Sequence, residues 1–232
     1  MALMTGTCYY CGAPATSDEH APPRALFPKL KDSPDGRNYR LNLRTVRSCD
    51  VHNTRKSKED EYLLYVLAMI LPSNDIAKSQ FLTSVKRAIE YRPKLLDRML
   101  IDYHEAAYHD TAHDTWHRTI AIRPDESRLT EIFKCIAKAM YAIEKQAFWP
   151  HKVSIAIEFM LAIGDIERNE IQAQRILEID SLLSAVPHKG DTPEVFTYQF
   201  MEHDGHALMR LHFYENAKVS AVFIPSQKGA LA

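Results

Sequence analysis

The sequence predicts an α+β protein in which a small metal-stapled N-terminal module precedes a mostly helical region ending in a small antiparallel sheet. Three observations lead there. Cys8-x2-Cys11 is answered downstream by Cys49-x2-His52, two ligand pairs able to surround one tetrahedral ion. Apolar residues recur at helical spacing over 76–91, 93–107, 129–148 and 170–185. The tail then alternates apolar and polar residues in three runs, 195–201, 207–214 and 219–224.

The elements follow in order. Residues 7–23 read as a knuckle turn leading into a strand or loop that ends at Glu19-His20, since Pro22 and Pro23 exclude a helix there. Asp32-Ser33-Pro34-Asp35-Gly36 is a turn cluster. Residues 41–47 alternate as a half-buried strand would. A helix is expected after Cys49, and Ser57-x2-Asp60 supplies a start signal for a helix reaching Leu71 before Pro72. Further on, 116–122 is a short strand candidate and 153–163 fits either strand or helix. Asp204-Gly205 supplies a hairpin turn between the first two runs of the tail. A boundary near residue 72 divides the chain into a metal module, 1–72, and an accessory α+β region, 73–232.

Composition narrows the class. A chain of 232 residues, 46% hydrophobic and 25% charged, can bury a substantial core in one or two domains. The longest apolar run, 62–71, is about half the ~20 residues that span a bilayer, and Met1–Gly6 lacks a secretory signal. A cytoplasmic protein without a membrane span is therefore expected. In a reducing compartment the Cys8, Cys11 and Cys49 spacing favours metal over cystine, whereas Cys135, inside an apolar helical pattern, reads as a small buried hydrophobe. The net charge of −1 is unevenly spread: residues 24–58 hold ten Lys or Arg against three Asp. That basic segment lies between the ligand pairs, where a phosphate backbone would approach. Arg44, Arg47, Arg55 and Lys56 are its candidate phosphate contacts.

The combination of Cys8-x2-Cys11, Asp18-Glu19-His20-x-Pro22-Pro23 and Cys49-x2-His52-Asn53-x2-Lys56-Ser57 resembles the HNH endonuclease family. The likeness is to its zinc-stapled, stand-alone bacterial type and covers about residues 8–62. It implies a ββα-metal fold, a structural Zn2+ on Cys8, Cys11, Cys49 and His52, and cleavage of phosphodiester bonds in DNA, with RNA left open. The residues suit that chemistry. Histidine is a common general base, and His20 can take a proton from water. Glu19 and Asn53 offer hard oxygens for Mg2+ or another divalent ion. The chain departs from the family at three places: His52 replaces a cysteine, glutamate replaces aspartate before His20, and Asn42 is about two residues early for the asparagine that orients the base.

Three other expectations complete the reading. A catalytically inactive zinc module that binds nucleic acid or a protein is the alternative function. His104, His109, His113 and His117 include two i,i+4 steps, yet the residues among them suit a loop of partly exposed histidines better than a metal site. The acidic balance of 73–232 makes that region a candidate for self-association or for a protein partner.

Overall fold

The computed structural model describes residues 6–53, 56–70, 73–92, 94, 100–110, 113–162 and 164–226. They form a mixed α and β fold with three antiparallel sheets.

The N-terminal unit starts in a tight turn, where Cys8 N–H donates to Ala13 O at 2.7 Å and Gly12 N–H to Cys8 O at 2.9 Å. Gly12 is required there twice over. Its φ is +75°, and a Cβ would lie 2.7 Å from the ring of Phe148. Strand β1 (Ser17–His20) pairs antiparallel with β2 (Thr45–Ser48), in the register Ser17↔Ser48 to His20↔Thr45. The expected strand over 41–47 is therefore shorter. Asn42 adopts a left-handed backbone (φ 56°) in the preceding turn, which breaks the extension until Thr45. Helix α1 (Asp50–Asn53) follows β2, and α2 (Lys56–Ala68) follows in turn. Tyr62 to Ala68 are all buried, so α2 is enclosed on every side rather than on one face. Residues 71 and 72, at the expected module boundary, lie outside the described residues.

Helix α3 (Asp75–Gln80) is capped by Asn74, whose side chain accepts from Ala77 N–H at 3.0 Å. It continues through a π turn, Phe81–Val85, into α4 (Lys86–Tyr91). The helix expected over 93–107 is a correction. Residues 100–107 belong to strand β3 (Leu100–Asp110), paired with β4 (Thr115–Pro124) as a two-stranded ribbon. The partner strand explains the override. Thr115, Trp116, Thr119, Ile120 and Ile122 favour an extended chain, and pairing with them outweighs the helical spacing of the first strand.

Helix α5 (Glu126–Lys145) is capped by Asp125 and ends at Gln146 in a left-handed turn. Its apolar face packs on the five-stranded sheet β5-β9-β8-β7-β6, and Phe133 lies 5.6 Å ring to ring from Phe213. The strands are β5 (Lys152–Ile157), β6 (Lys189–Thr192), β7 (Phe196–His203), β8 (His206–Phe213) and β9 (Ala217–Ile224). Residues 153–157, ambiguous in sequence, are thus strand, and Asp204-Gly205 makes the expected turn with both φ positive. Helix α6 (Ile166–Leu183) precedes β6.

One buried cluster runs from Cys8 to Phe223, so the N-terminal unit shares its core with the rest. Polar contacts cross the same divide. Tyr214 Oη donates to Leu26 O at 2.6 Å, and Asp125 N–H donates to Tyr62 Oη at 2.7 Å. Arg128 stacks over the Tyr62 ring at 3.9 Å while pairing with Glu59 at 2.6 Å. Among the described residues no helix is long and apolar enough to cross a membrane.

Candidate functional site

The four expected ligands converge. The ligand atoms of Cys8, Cys11, Cys49 and His52 all lie within 4.8 Å of one another. Cys8 Sγ is 3.6 Å from His52 Nδ1, Cys49 Sγ is 3.1 Å from it, and Cys11 Sγ is 3.9 Å from Cys49 Sγ. A tetrahedral zinc site has edges of about 3.8 Å between sulfurs and about 3.6 Å between sulfur and nitrogen, from Zn–S of ~2.3 Å and Zn–N of ~2.0 Å. The donor set therefore fits a metal ion such as zinc, with His52 offering Nδ1. Local structure makes the convergence. The turn at Gly12 brings Cys8 and Cys11 together, while the start of α1 turns Cys49 and His52 to one side.

The surroundings act differently on the thiols: they favour thiolate at Cys8, whereas burial raises the pKa of Cys11. Burial opposes ionisation of Cys8, yet the backbone N–H groups of Cys49, Tyr10 and Cys11 outweigh it, and its pKa falls below the ordinary value. Burial, and then the nearby charge of Lys138, lower the His52 pKa, which favours the neutral ring that a metal ligand needs.

Two tyrosines between the cysteines wire this centre to its neighbours. Tyr10 stacks on the His52 ring at 4.3 Å. Lys138, on α5, places its ammonium 4.2 Å over the Tyr10 ring and donates to Tyr10 O at 3.4 Å. Tyr9 is buried, and its hydroxyl donates to Glu19 Oε1 at 3.1 Å. Sequence reasoning missed Tyr9, Tyr10 and Lys138. The available signal was Lys138 itself, a lone charge within the apolar run Ile136-Ala137-Lys138-Ala139-Met140.

The candidate catalytic residues sit at the β1–β2 pair. Strand alternation places Ser17 and Glu19 on one face of β1, and Asp18 and His20 on the other. Asn53, at the end of α1, donates from Nδ2 to Ser17 Oγ at 2.8 Å, on the Glu19 side. Glu19 is only 6% exposed, turned toward the interior beneath Tyr9. His20 is half-buried at the last position of β1, and its Nδ1 is enclosed without a hydrogen-bond partner among the described residues. Asn42 lies exposed in the turn before β2 and makes no hydrogen bond to His20.

The candidate phosphate contacts divide. Arg44 is exposed, and its carbonyl accepts from Ala21 N–H at 3.0 Å, one step beyond the His20↔Thr45 pair. Arg47 is engaged by Asp18 at 3.2 Å and by Ala15 O at 3.4 Å. Lys56 opens α2, and Arg55 lies outside the described residues.

The histidine group at 104–117 does not gather. His104 and His109 fall on opposite faces of β3, His117 is on β4 and His113 in the turn between them. His109 pairs with Asp114 at 2.9 Å and stacks on Trp116 at 4.9 Å, while His113 pairs with Asp110 at 2.9 Å. Cys135 is half-buried on α5. Comparison of the chain with protein-family models, with curated proteins and with solved structures finds no match.

Proposed function

We propose that this chain is a metal-dependent HNH endonuclease that hydrolyses phosphodiester bonds in DNA. The observation that carries the reading is the order of parts around the Cys8–Cys11–Cys49–His52 cluster. Two antiparallel strands run into a helix, with Glu19-His20 closing the first strand and Asn53 closing the first helical turn. In this reading the four-ligand cluster binds a structural Zn2+ and fixes β1 against α1. Glu19 and Asn53, on one side of β1, hold the catalytic cation, and His20 takes a proton from the attacking water. A divalent ion held there, such as Mg2+, supplies charge neutralisation at the phosphate. The exposed Arg44, with Arg55 and Lys56, positions the strand electrostatically, without reading its sequence.

A second reading has an observation of its own. Glu19 is buried under Tyr9, which favours a non-catalytic zinc module that binds nucleic acid or a protein partner. Plasmid cleavage in Mg2+, Mn2+ or EDTA separates the two. Under the nuclease reading the wild type cuts with a divalent ion, and His20→Ala loses about 10²–10⁴-fold activity with fold, bound zinc and DNA affinity retained. Wild-type protein that binds DNA but cuts none in any metal would select the binding module instead.

A further inference from the structure

The β3–β4 ribbon packs chiefly on itself: among the described residues no other element makes more than marginal contact with it. Its paired length is roughly 30 Å, at ~3.4 Å per residue. Cross-strand partners share a face, which fixes what each face carries. One face presents four rows in succession, Tyr103 with Ile122, Glu105 with Ile120, Ala107 with Arg118, and His109 with Trp116. Three large side chains stand open on it: Tyr103 is 66% exposed, Ile120 60% and Trp116 71%. A ribbon that leaves three such side chains in water is short of a partner.

Charge decides which partner. Asp102, Glu105, Asp110 and Asp114 outnumber Arg118 and Arg123, so the ribbon repels a phosphate backbone instead of collecting one. Glu105 and Arg118 occupy adjacent rows of the open face, yet neither has an ion-pair partner among the described residues. A two-fold axis lying across the middle of that face solves both problems at once. It brings the Glu105 row of one chain over the Arg118 row of the other, twice by symmetry. It also lays Tyr103 and Ile122 over the partner's His109 and Trp116, enclosing the open aromatic and aliphatic surface.

We propose that the Tyr103–Glu105–Arg118–Trp116–Ile120 face of the β3–β4 ribbon docks a second copy of this chain. The arrangement is isologous, with reciprocal Glu105–Arg118 ion pairs flanked by apolar contact. The inference is independent of the nuclease reading, because no residue of the metal centre takes part.

Sedimentation equilibrium of the full chain tests it. The wild type forms a concentration-dependent dimer, and Ile120→Lys or Arg118→Glu weakens association at least about ten-fold, the latter by setting like charges opposite each other. The double reversal Glu105→Arg with Arg118→Glu restores dimerisation toward wild type, which a merely damaged ribbon would not do. Far-UV circular dichroism and metal content confirm that each variant is folded. A wild type that stays monomeric at about 100 μM, or a dimer indifferent to all these changes, overturns the proposal. So does a monomer whose affinity for duplex DNA falls on Arg118→Glu, which would hand the face to nucleic acid.

Discussion

Among the described residues two antiparallel strand pairs each lie beside a group of side chains of metal-binding type, and only one of those groups converges. Around β1–β2, Cys8, Cys11, Cys49 and His52 place all four ligand atoms within 4.8 Å. Around β3–β4, four histidines at comparable spacing in sequence end on two faces, two strands and a turn. The difference lies in the backbone between ligands. A two-residue spacer folded into a knuckle or a helical first turn brings its ends together, whereas residues five apart on a strand are roughly 17 Å apart. Ligand spacing acquires meaning only once the local conformation is known.

The largest test of that contrast removes the staple. Cys49→Ser is expected to drop metal content from about one ion per chain to none and to cost several kcal/mol, because the binding energy of a structural zinc is folding energy. Metal analysis with urea denaturation measures both. Replacing His104, His109, His113 and His117 together by alanine should leave the metal content unchanged. Loss of the ion in that variant would break the comparison.

A second test contrasts exposed ribbon histidines with one in the core. His212 on β8 is buried beside Gln199 Oε1 at 3.2 Å, and burial, then His188 and Arg210, push its pKa down to about 3. The unfolded chain binds a proton near pH 6.5 that the folded chain refuses until about pH 3. Stability contributed by neutral His212 is therefore full above pH 6.5 and declines as pH falls through that window, by about 1–2 kcal/mol at pH 5. Urea titrations of wild type and His212→Gln should show a shallower pH slope in the variant. Parallel slopes would contradict the assignment.

The third test asks what surrounds the converging cluster and is lacking around the histidines. A zinc on three thiolates and one imidazole carries net negative charge, and Lys138 stands over Tyr10 beside it. Lys138→Met should release metal to a competing chelator about 10-fold faster, with Lys138→Arg recovering most of the loss. Equal release rates for Lys138→Met and wild type would show that Lys138 only packs. The smallest effect belongs to the exposed His109–Asp114 pair, where His109→Ala should cost under about 1 kcal/mol by thermal denaturation.

Much of the four-ligand cluster was legible because its determinants are short-range: two ligand pairs with two-residue spacers, a knuckle turn and a helix after Cys49. The tail strands were legible for a similar reason, since alternation and Asp204-Gly205 are local signals. The segment 100–107 was not legible. Its apolar spacing suits a helix, and only a partner strand fifteen or so residues away makes the extended form the better one. The placement of Lys138 and Tyr9 was equally hidden, because both depend on α5 and β1 closing over the knuckle from distant parts of the chain.

By itself, then, the sequence determined the four-ligand cluster, the strand-to-helix order that follows Glu19-His20, and the alternating strands of the tail. Each is specified within a few residues by spacing, turn chemistry and periodicity. Tertiary structure alone decided that Glu19 lies beneath Tyr9, that Lys138 covers Tyr10, and that β3 and β4 form a ribbon with Tyr103, Trp116 and Ile120 exposed on one face. Those outcomes are set by which surfaces meet across long stretches of chain, and the free energy of that meeting appears in no local pattern.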